Sequence, residues 1–291
     1  MKQTIYIAII LPICLGLGNP VIAFENYHFK KDFSASIGLK TWINEWEYPI
    51  LLTTNNNYMV RTQHSDTTEF AFIPTLNLRY KKFFVSGSYL PDTNYSFETQ
   101  NIDLVDKEIY IGTIAAQFNA TRSEWDINLG YYILPSLIVT AGYKNINREF
   151  DINLNDKQFP NVVQPFLNVG KTDTSGFTLG FAGVAPLRGQ FGLYGSFAYG
   201  WLKTEKNISS NFKNVLGQQY GNFDVKYYLG EFGLTYFSKL ENIHTLEAAS
   251  IYMGYRFQAL NEERGSLDNN GRPLEVTDTT SGFVFGVNLS F

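Results

Sequence analysis

Thr279-Thr280-Ser281-Gly282-Phe283-Val284-Phe285-Gly286-Val287-Asn288-Leu289-Ser290-Phe291 is the stretch whose reading decides the fold. Its large apolar side chains, Phe283, Phe285, Val287, Leu289 and Phe291, fall on every second position. The alternate set, Val284, Gly286, Asn288 and Ser290, is small or polar. Successive side chains of an extended strand point to opposite faces, so a period of two predicts one greasy face. The other face then meets water, small side chains or a polar lumen. A soluble sandwich could show one such strand, and the rest of the chain has to separate the two readings.

Working back from the end, the same alternation recurs. Residues 33 to 44 place Phe33, Ala35, Ile37, Leu39, Thr41 and Ile43 on one side and Ser34, Ser36, Gly38, Lys40, Trp42 and Asn44 on the other. Lys40 must face inward, because a lysine at mid-depth against lipid costs roughly 2–4 kcal/mol. Phe70, Phe72, Pro74, Leu76, Leu78 and Tyr80 form the next outward set, with a local defect or bulge expected at Pro74, which has no ladder donor. Outward sets follow at Phe83 to Tyr89, Leu137 to Tyr143, Phe177 to Ala185, Phe191 to Trp201, Tyr228 to Tyr236 and Ala249 to Phe257. Between Pro91 and Ser123 the pattern is ambiguous. The phase of Trp125, Ile127, Leu129, Tyr131 and Ile133 continues unbroken upward through Thr113 to Ser123, which predicts one long strand projecting above the membrane.

Connections alternate in length. Lys81-Lys82, Leu134-Pro135-Ser136, Leu187-Arg188-Gly189 and Lys239 to Ile243 are short, whereas Glu45 to Asp66, Asn153 to Lys171, Glu205 to Asn222 and Asn261 to Thr277 are long. Short turns at one end and long loops at the other are the asymmetry of outer-membrane barrels. The predicted fold class is all-β: a transmembrane antiparallel up-and-down β-barrel of about ten strands, with twelve as the alternative.

The amino terminus carries Lys2, an apolar run from Ile5 to Leu17 and then Gly18 to Ala23, which reads as a secretory signal with cleavage after Ala23. The expected organisation is therefore a signal at 1–23 and one barrel domain at 24–291. The sole cysteine, Cys14, lies in that signal, so no disulfide is expected in the mature chain. After Ala23 no stretch approaches the ~20 apolar residues of a membrane helix. Aromatic residues make up 16 % of the chain, and that excess fits girdled outer walls around a polar interior. A net charge of −4 argues against a nucleic-acid partner.

Arg122-Ser-Glu-Trp-Asp-Ile-Asn-Leu-Gly-Tyr131, Leu134-Pro-Ser-Leu137 and Ala141-Gly-Tyr-Lys144 together resemble a hairpin of porin-like outer-membrane β-barrel proteins of Gram-negative bacteria. The carboxyl-terminal Phe291 resembles the assembly signal of such barrels. The resemblance implies location in the outer membrane and this fold, and it implies no activity. The partners it implies are outer-membrane lipid and lipopolysaccharide, and the barrel-assembly machinery acting through the last strand.

Asp126 and Lys144 stand equidistant from Pro135 and share the inward phase, so they should meet across the ladder. Glu124 lies one inward step higher, diagonal to Arg148. Lys40, Arg79, Glu231 and Arg256 also point inward by phase, so both signs of charge line the lumen. Such charges either neutralise one another in a narrow interior or form a constriction that selects small polar solutes. A ten-stranded lumen is mostly filled by side chains, so any pore should be narrow. The competing class is a surface recognition or adhesion protein in which the barrel is a pedestal for polar loops such as Asn55-Asn56-Asn57 and Asp268-Asn269-Asn270. Omptin surface proteases are a remoter alternative. They use a His/Asp and an Asp pair at the mouth, and here only His64 with Asp66, and Asp103 with Asp106, lie near one. His28 and His244 read as solvated. No cofactor or metal spacing is present in the sequence, and no enzymatic activity is expected.

Overall fold

The computed structural model describes residues 32–54, 57–66, 68–106, 109–155, 166–208, 223–240, 246–267 and 273–291, so the segment read as a signal lies outside the described residues. Twelve strands carry them: β1 (Phe33–Thr54), β2 (Asn57–His64), β3 (Glu69–Tyr80), β4 (Phe83–Ser96), β5 (Gln100–Asp106), β6 (Ile109–Leu134), β7 (Leu137–Asn155), β8 (Phe166–Pro186), β9 (Phe191–Ile208), β10 (Phe223–Lys239), β11 (Ala248–Leu267) and β12 (Pro273–Ser290). No helix among the described residues is long and apolar enough to cross a membrane, which says nothing against crossing by strands.

Ten of the twelve make a closed antiparallel wall. Its order is β1, β3, β4, β6, β7, β8, β9, β10, β11, β12, and β12 returns to β1. Closure is continuous from Ser36↔Ser290 to Glu47↔Thr279. Below it Phe291 donates its amide to the Ala35 carbonyl at 2.8 Å. The stretch that opened the sequence reading is thus the strand that abolishes the free edge, which hydrocarbon requires because each unsatisfied backbone group there costs several kcal/mol. The remaining two strands lie above the wall: β2 returns along the far end of β1, and β5 pairs the far end of β6.

Every wall strand presents its predicted apolar set outward. Phe177 is 71 % exposed, and Phe70, Phe283, Phe232 and Ile251 are each more than half exposed. A soluble monomer exposes contiguous apolar patches of only a few hundred Å², and a band circling the whole sheet needs lipid against it. Aromatic rings mark both edges of that band. At one edge Trp125 meets Tyr143 at 5.7 Å, Tyr199 meets Trp201 at 4.7 Å and Tyr255 meets Phe283 at 5.6 Å. At the other edge Phe83 meets Tyr131 at 5.0 Å and Phe191 meets Tyr236 at 5.1 Å.

The tight turns lie at this second edge. Lys81 takes φ 53° in the two-residue turn after β3, and Gly189 takes φ 69° after β8, the left-handed geometry that closes hairpins tightly. At the opposite, extended end the strands outrun the band. β6 is a single strand of 26 residues, as its unbroken phase predicted, and Ile109 to Glu124 rise beyond Trp125 by roughly 50 Å along the strand.

The long connections need correction, since Phe166 to Lys171 belong to β8 and Glu205 to Ile208 to β9. Glu45 to Asp66 is a hairpin of β1 and β2 rather than a loop, and much of Asn261 to Thr277 belongs to β11 and β12. Outside lipid both faces of a strand can be polar, so the alternation that reveals strands disappears while the ladder continues. Pro74 sits in register opposite Leu39 with no bulge in β3, but the β3–β4 ladder stops beside it, at Thr75↔Ser88.

Candidate functional site

The site is the lumen, built from the inward alternates of the wall strands. Glu231 on β10 lies directly opposite Arg256 on β11, and its Oε2 accepts from Arg256 Nη1 at 3.3 Å. Lys40, on β1 across the barrel, donates to the same oxygen at 2.7 Å. The Arg256 guanidinium lies 4.9 Å from the Trp42 ring, and the Lys40 ammonium lies 5.9 Å from that of Tyr252. These contacts tie opposite walls together at the level of the apolar band.

A second charged layer crosses the lumen toward the extended end. Asp126 and Lys144 do stand opposite each other in the β6–β7 ladder, with Lys144 Nζ 3.8 Å from Asp126 Oδ2. The shorter bond from Lys144, at 2.7 Å, goes to Glu124 Oε2. Glu124 Oε1 also accepts from Arg122 Nε at 2.8 Å and from Gln258 Nε2 at 2.9 Å. Arg148 does stand diagonal to Glu124 in the ladder, where Ile146 is opposite Glu124, but its hydrogen bonds to carboxylates go elsewhere. It reaches across the lumen to Asp278 Oδ2 at 2.5 Å and Glu262 Oε1 at 2.9 Å. Asp278 Oδ1 accepts from the Trp46 indole at 2.6 Å, and Asp278 lies 3.6 Å from Arg122.

Arg122 and Arg148 are 0 % exposed, and Glu124, Lys144, Glu262 and Asp278 are all buried. Three cations thus face three carboxylates in a buried layer, with Asp126 at its lower margin. Charges so desolvated persist only when paired and hydrogen-bonded, and here each is. In the part beyond the lipid band, burial alone would lower the Arg148 pKa, but Glu262 and Asp278 hold it above the ordinary guanidinium value. Burial raises the Asp278 carboxyl against the opposing pull of Arg122 and Arg148.

Apolar clusters fill the space around these ions. Ile146, Leu202, Val225, Tyr227 and Leu260 pack together on the β7 to β11 side. Trp46, Tyr95, Phe97 and Ala120 form another cluster beneath the rim, with Tyr48 and Phe150 against it. Below the ionic plane the lumen opens into a cavity of about 490 Å³. Its upper wall includes Lys40, Lys144, Glu231 and Arg256, and its lining runs past Asn77, Asn128 and Tyr132 to Pro135 and Ser136 at the turn end.

Of the charges expected inside, Lys40, Glu124, Asp126, Lys144, Arg148, Glu231 and Arg256 are joined in these two networks. Arg79 stands apart near the turn end, where its Nε donates to Ser34 Oγ at 2.9 Å. Arg122, Gln258, Glu262, Asp278 and Trp46 complete the site. Arg122 shares the phase of Glu124 and so carried a signal. Glu262 and Asp278 lay in or beside a stretch that reads as a loop and carried none.

At the rim, His64 Nδ1 lies 3.3 Å from Glu47 Oε1, and both are exposed. Asp103 and Asp106 lie on β5, which pairs β6, whereas His64 lies on β2, which pairs β1, so the sheet places them on different hairpins. His28 and His244 are outside the described residues. Among the described residues no three His, Cys, Asp or Glu side chains are grouped to hold a metal.

No family model matches this chain, and no curated protein matches it. Solved structures do. The outer membrane protease OmpT from Escherichia coli aligns over 89 % of this chain and 96 % of its own at 14 % identity, with a TM-score of 0.45. A Pseudomonas aeruginosa FadL homologue aligns over 90 % of both chains at 10 % identity and a TM-score of 0.34. The outer membrane protein OprG from Pseudomonas aeruginosa aligns over 90 % of this chain and 99 % of its own at 12 % identity and a TM-score of 0.29. The sheet itself carries the conclusion: with ten strands closed into a ring, greasy outside between two aromatic rings and charged inside, this chain has the fold of an integral outer-membrane β-barrel.

Proposed function

We propose that the protein is a non-conducting outer-membrane barrel whose working surface is the strand extension outside the cell. The observation that carries this reading is the buried plane of Arg122, Glu124, Lys144, Arg148, Glu262 and Asp278, which spans the lumen without an exposed member. An ion crossing it would have to break several charge-assisted bonds in a medium of low dielectric. With the short turns periplasmic, β2, β5 and the upper part of β6 stand in the extracellular space, surrounded at their base by lipid and lipopolysaccharide. The barrel then serves as a pedestal for recognition of a partner by these hairpins.

A narrow pore for small polar solutes is the second reading, and the cavity below the ionic plane favours it. Conductance of the purified protein in planar bilayers separates the two. The pedestal predicts no channel events under an applied potential. Steady openings whose reversal potential moves in Lys144→Gln would replace it with a selective pore. An omptin-like protease has less support, because the rim histidine His64 has Glu47 as its partner. Cleavage of a peptide library by the reconstituted protein, lost in His64→Ala, would reinstate it.

A further inference from the structure

The lumen below the buried layer is walled by polar groups. Its cavity of about 490 Å³ falls within the size range of small-molecule sites. Lys40, Asp126, Lys144, Glu231 and Arg256 line the roof, and five different strands supply them. These side chains are held in place before any solute arrives. Lys40 and Arg256 share Glu231 Oε2, and Asp126 accepts from Ser88 Oγ at 2.6 Å and from Asn128 Nδ2 at 2.8 Å. Ser86, Ser196 and Asn288 add hydroxyl and amide groups to the wall. Tyr194 and Tyr252 add ring surface, with their centroids 5.5 Å apart and edge to face.

Charge around this space is balanced. Across the two networks five cations, Lys40, Arg122, Lys144, Arg148 and Arg256, meet five carboxylates, Glu124, Asp126, Glu231, Glu262 and Asp278. A solute of net charge would add an unanswered charge to a poorly hydrated interior. A neutral solute with many hydroxyls avoids that cost. Each hydroxyl can donate to Asp126 or Glu231 and accept from Lys40, Lys144 or Arg256, and hydrogen bonds to charged groups are the stronger kind. The tyrosine rings offer apolar surface to the C–H faces of such a solute. The way in is set by the two ends. The buried layer lies over the roof, whereas Pro135 and Ser136 of the β6–β7 turn line the opposite end.

We propose that this cavity is a periplasm-facing binding cup for a small neutral saccharide. The balanced roof selects against net charge, the hydroxyls and amides of the wall select for hydroxyls, and the turn end admits the solute from the periplasm. The site goes beyond the pedestal reading, whose recognition surface lies at the other end of the molecule. It is also independent of whether the layer above it conducts.

The test is saturation-transfer NMR on the full chain in lipid nanodiscs, titrated with D-glucose, D-glucuronate and D-glucosamine, which share one ring scaffold and differ in charge. Saturable binding of glucose is expected, at least about tenfold tighter than that of either charged sugar. Ala182→Trp fills the wall away from the roof charges. It should weaken glucose binding at least about tenfold while circular dichroism reports an intact sheet. Lys40→Met leaves Arg256 on Glu231 and gives the roof a net negative charge, so the preference should move toward glucosamine. A bulky maleimide attached to Ser136→Cys should block glucose, whereas the same label on Glu47→Cys at the extracellular rim should not. No saturable glucose binding, or binding unchanged in Ala182→Trp, would overturn the cup. Glucuronate or glucosamine bound as tightly as glucose would overturn the charge argument, and a block from the Glu47→Cys label alone would overturn the periplasmic route.

Discussion

Glu124→Ala tests the ionic plane at its most connected carboxylate. Glu124 accepts from Lys144, Arg122 and Gln258 at 2.7 to 2.9 Å. Without it Arg122 keeps Thr280 at 2.5 Å and Asp278 at 3.6 Å, while Lys144 keeps only Asp126 among carboxylates, at 3.8 Å. Removing one member of a buried pair costs about 3–5 kcal/mol, because the charge left behind stays desolvated. The unfolding constant should therefore rise roughly 10²- to 10⁴-fold. Urea unfolding of the vesicle-reconstituted barrel, followed by tryptophan fluorescence, measures it. The same variant should admit ions, since the plane loses its central anchor and two cations turn toward water. Combining Glu124→Gln with Lys144→Met removes both charges and should recover at least about 1 kcal/mol relative to the sum of the single variants. A loss below about 1 kcal/mol in Glu124→Ala, the size of a solvated surface pair, would refute the buried layer.

Two further outcomes follow from the wall. At Gly282 an added Cβ would run into the Ile43 carbonyl oxygen and come within 2.7 Å of the Asn44 Cα across the closing β12–β1 ladder, whereas at Gly195 its nearest neighbour is 3.9 Å away. Gly282→Ala should cost about 1–3 kcal/mol and lower refolding yield, with Gly195→Ala within about 0.5 kcal/mol of wild type, both read from urea midpoints. Phe181→Arg, in the middle of the outward face of β8, should cost about 2–4 kcal/mol, and Phe177→Arg at the aromatic edge no more than about 1 kcal/mol. Equal costs at the two positions would contradict the placement of the lipid band.

The legible part of the fold lies where lipid imposes period two. Phe33 to Ile43, Phe83 to Tyr89 and Phe283 to Phe291 announce strand, face and boundary together, because a lipid-facing position accepts only apolar side chains and its neighbour faces a polar lumen. The opposition of Asp126 and Lys144 follows from the same rule, since Pro135 fixes the turn and the turn fixes the register. Where the strands leave lipid, the constraint on the outer face lapses. β2, the top of β11 and the start of β12 therefore carry no alternation and read as loops.

Asp278 and Glu262 became functional candidates only once the sheet was closed. Arg148 on β7 meets them on β12 and β11 across the lumen, and no spacing along the chain encodes a distance across a closed ring. The parting of β3 from β4 is similar: Pro74 announced a missing donor, but where the ladder ends depended on the path of β4. By itself the sequence determined the strands, their greasy faces and the side on which each charge lies, because these are local consequences of an alternating backbone in lipid. Which charges meet across the lumen and which ladder parts were decided by tertiary closure, because Lys40–Glu231, Arg148–Asp278, Arg148–Glu262 and Gln258–Glu124 each join residues more than a hundred positions apart, and the end of the β3–β4 ladder depends on the path of a neighbouring strand.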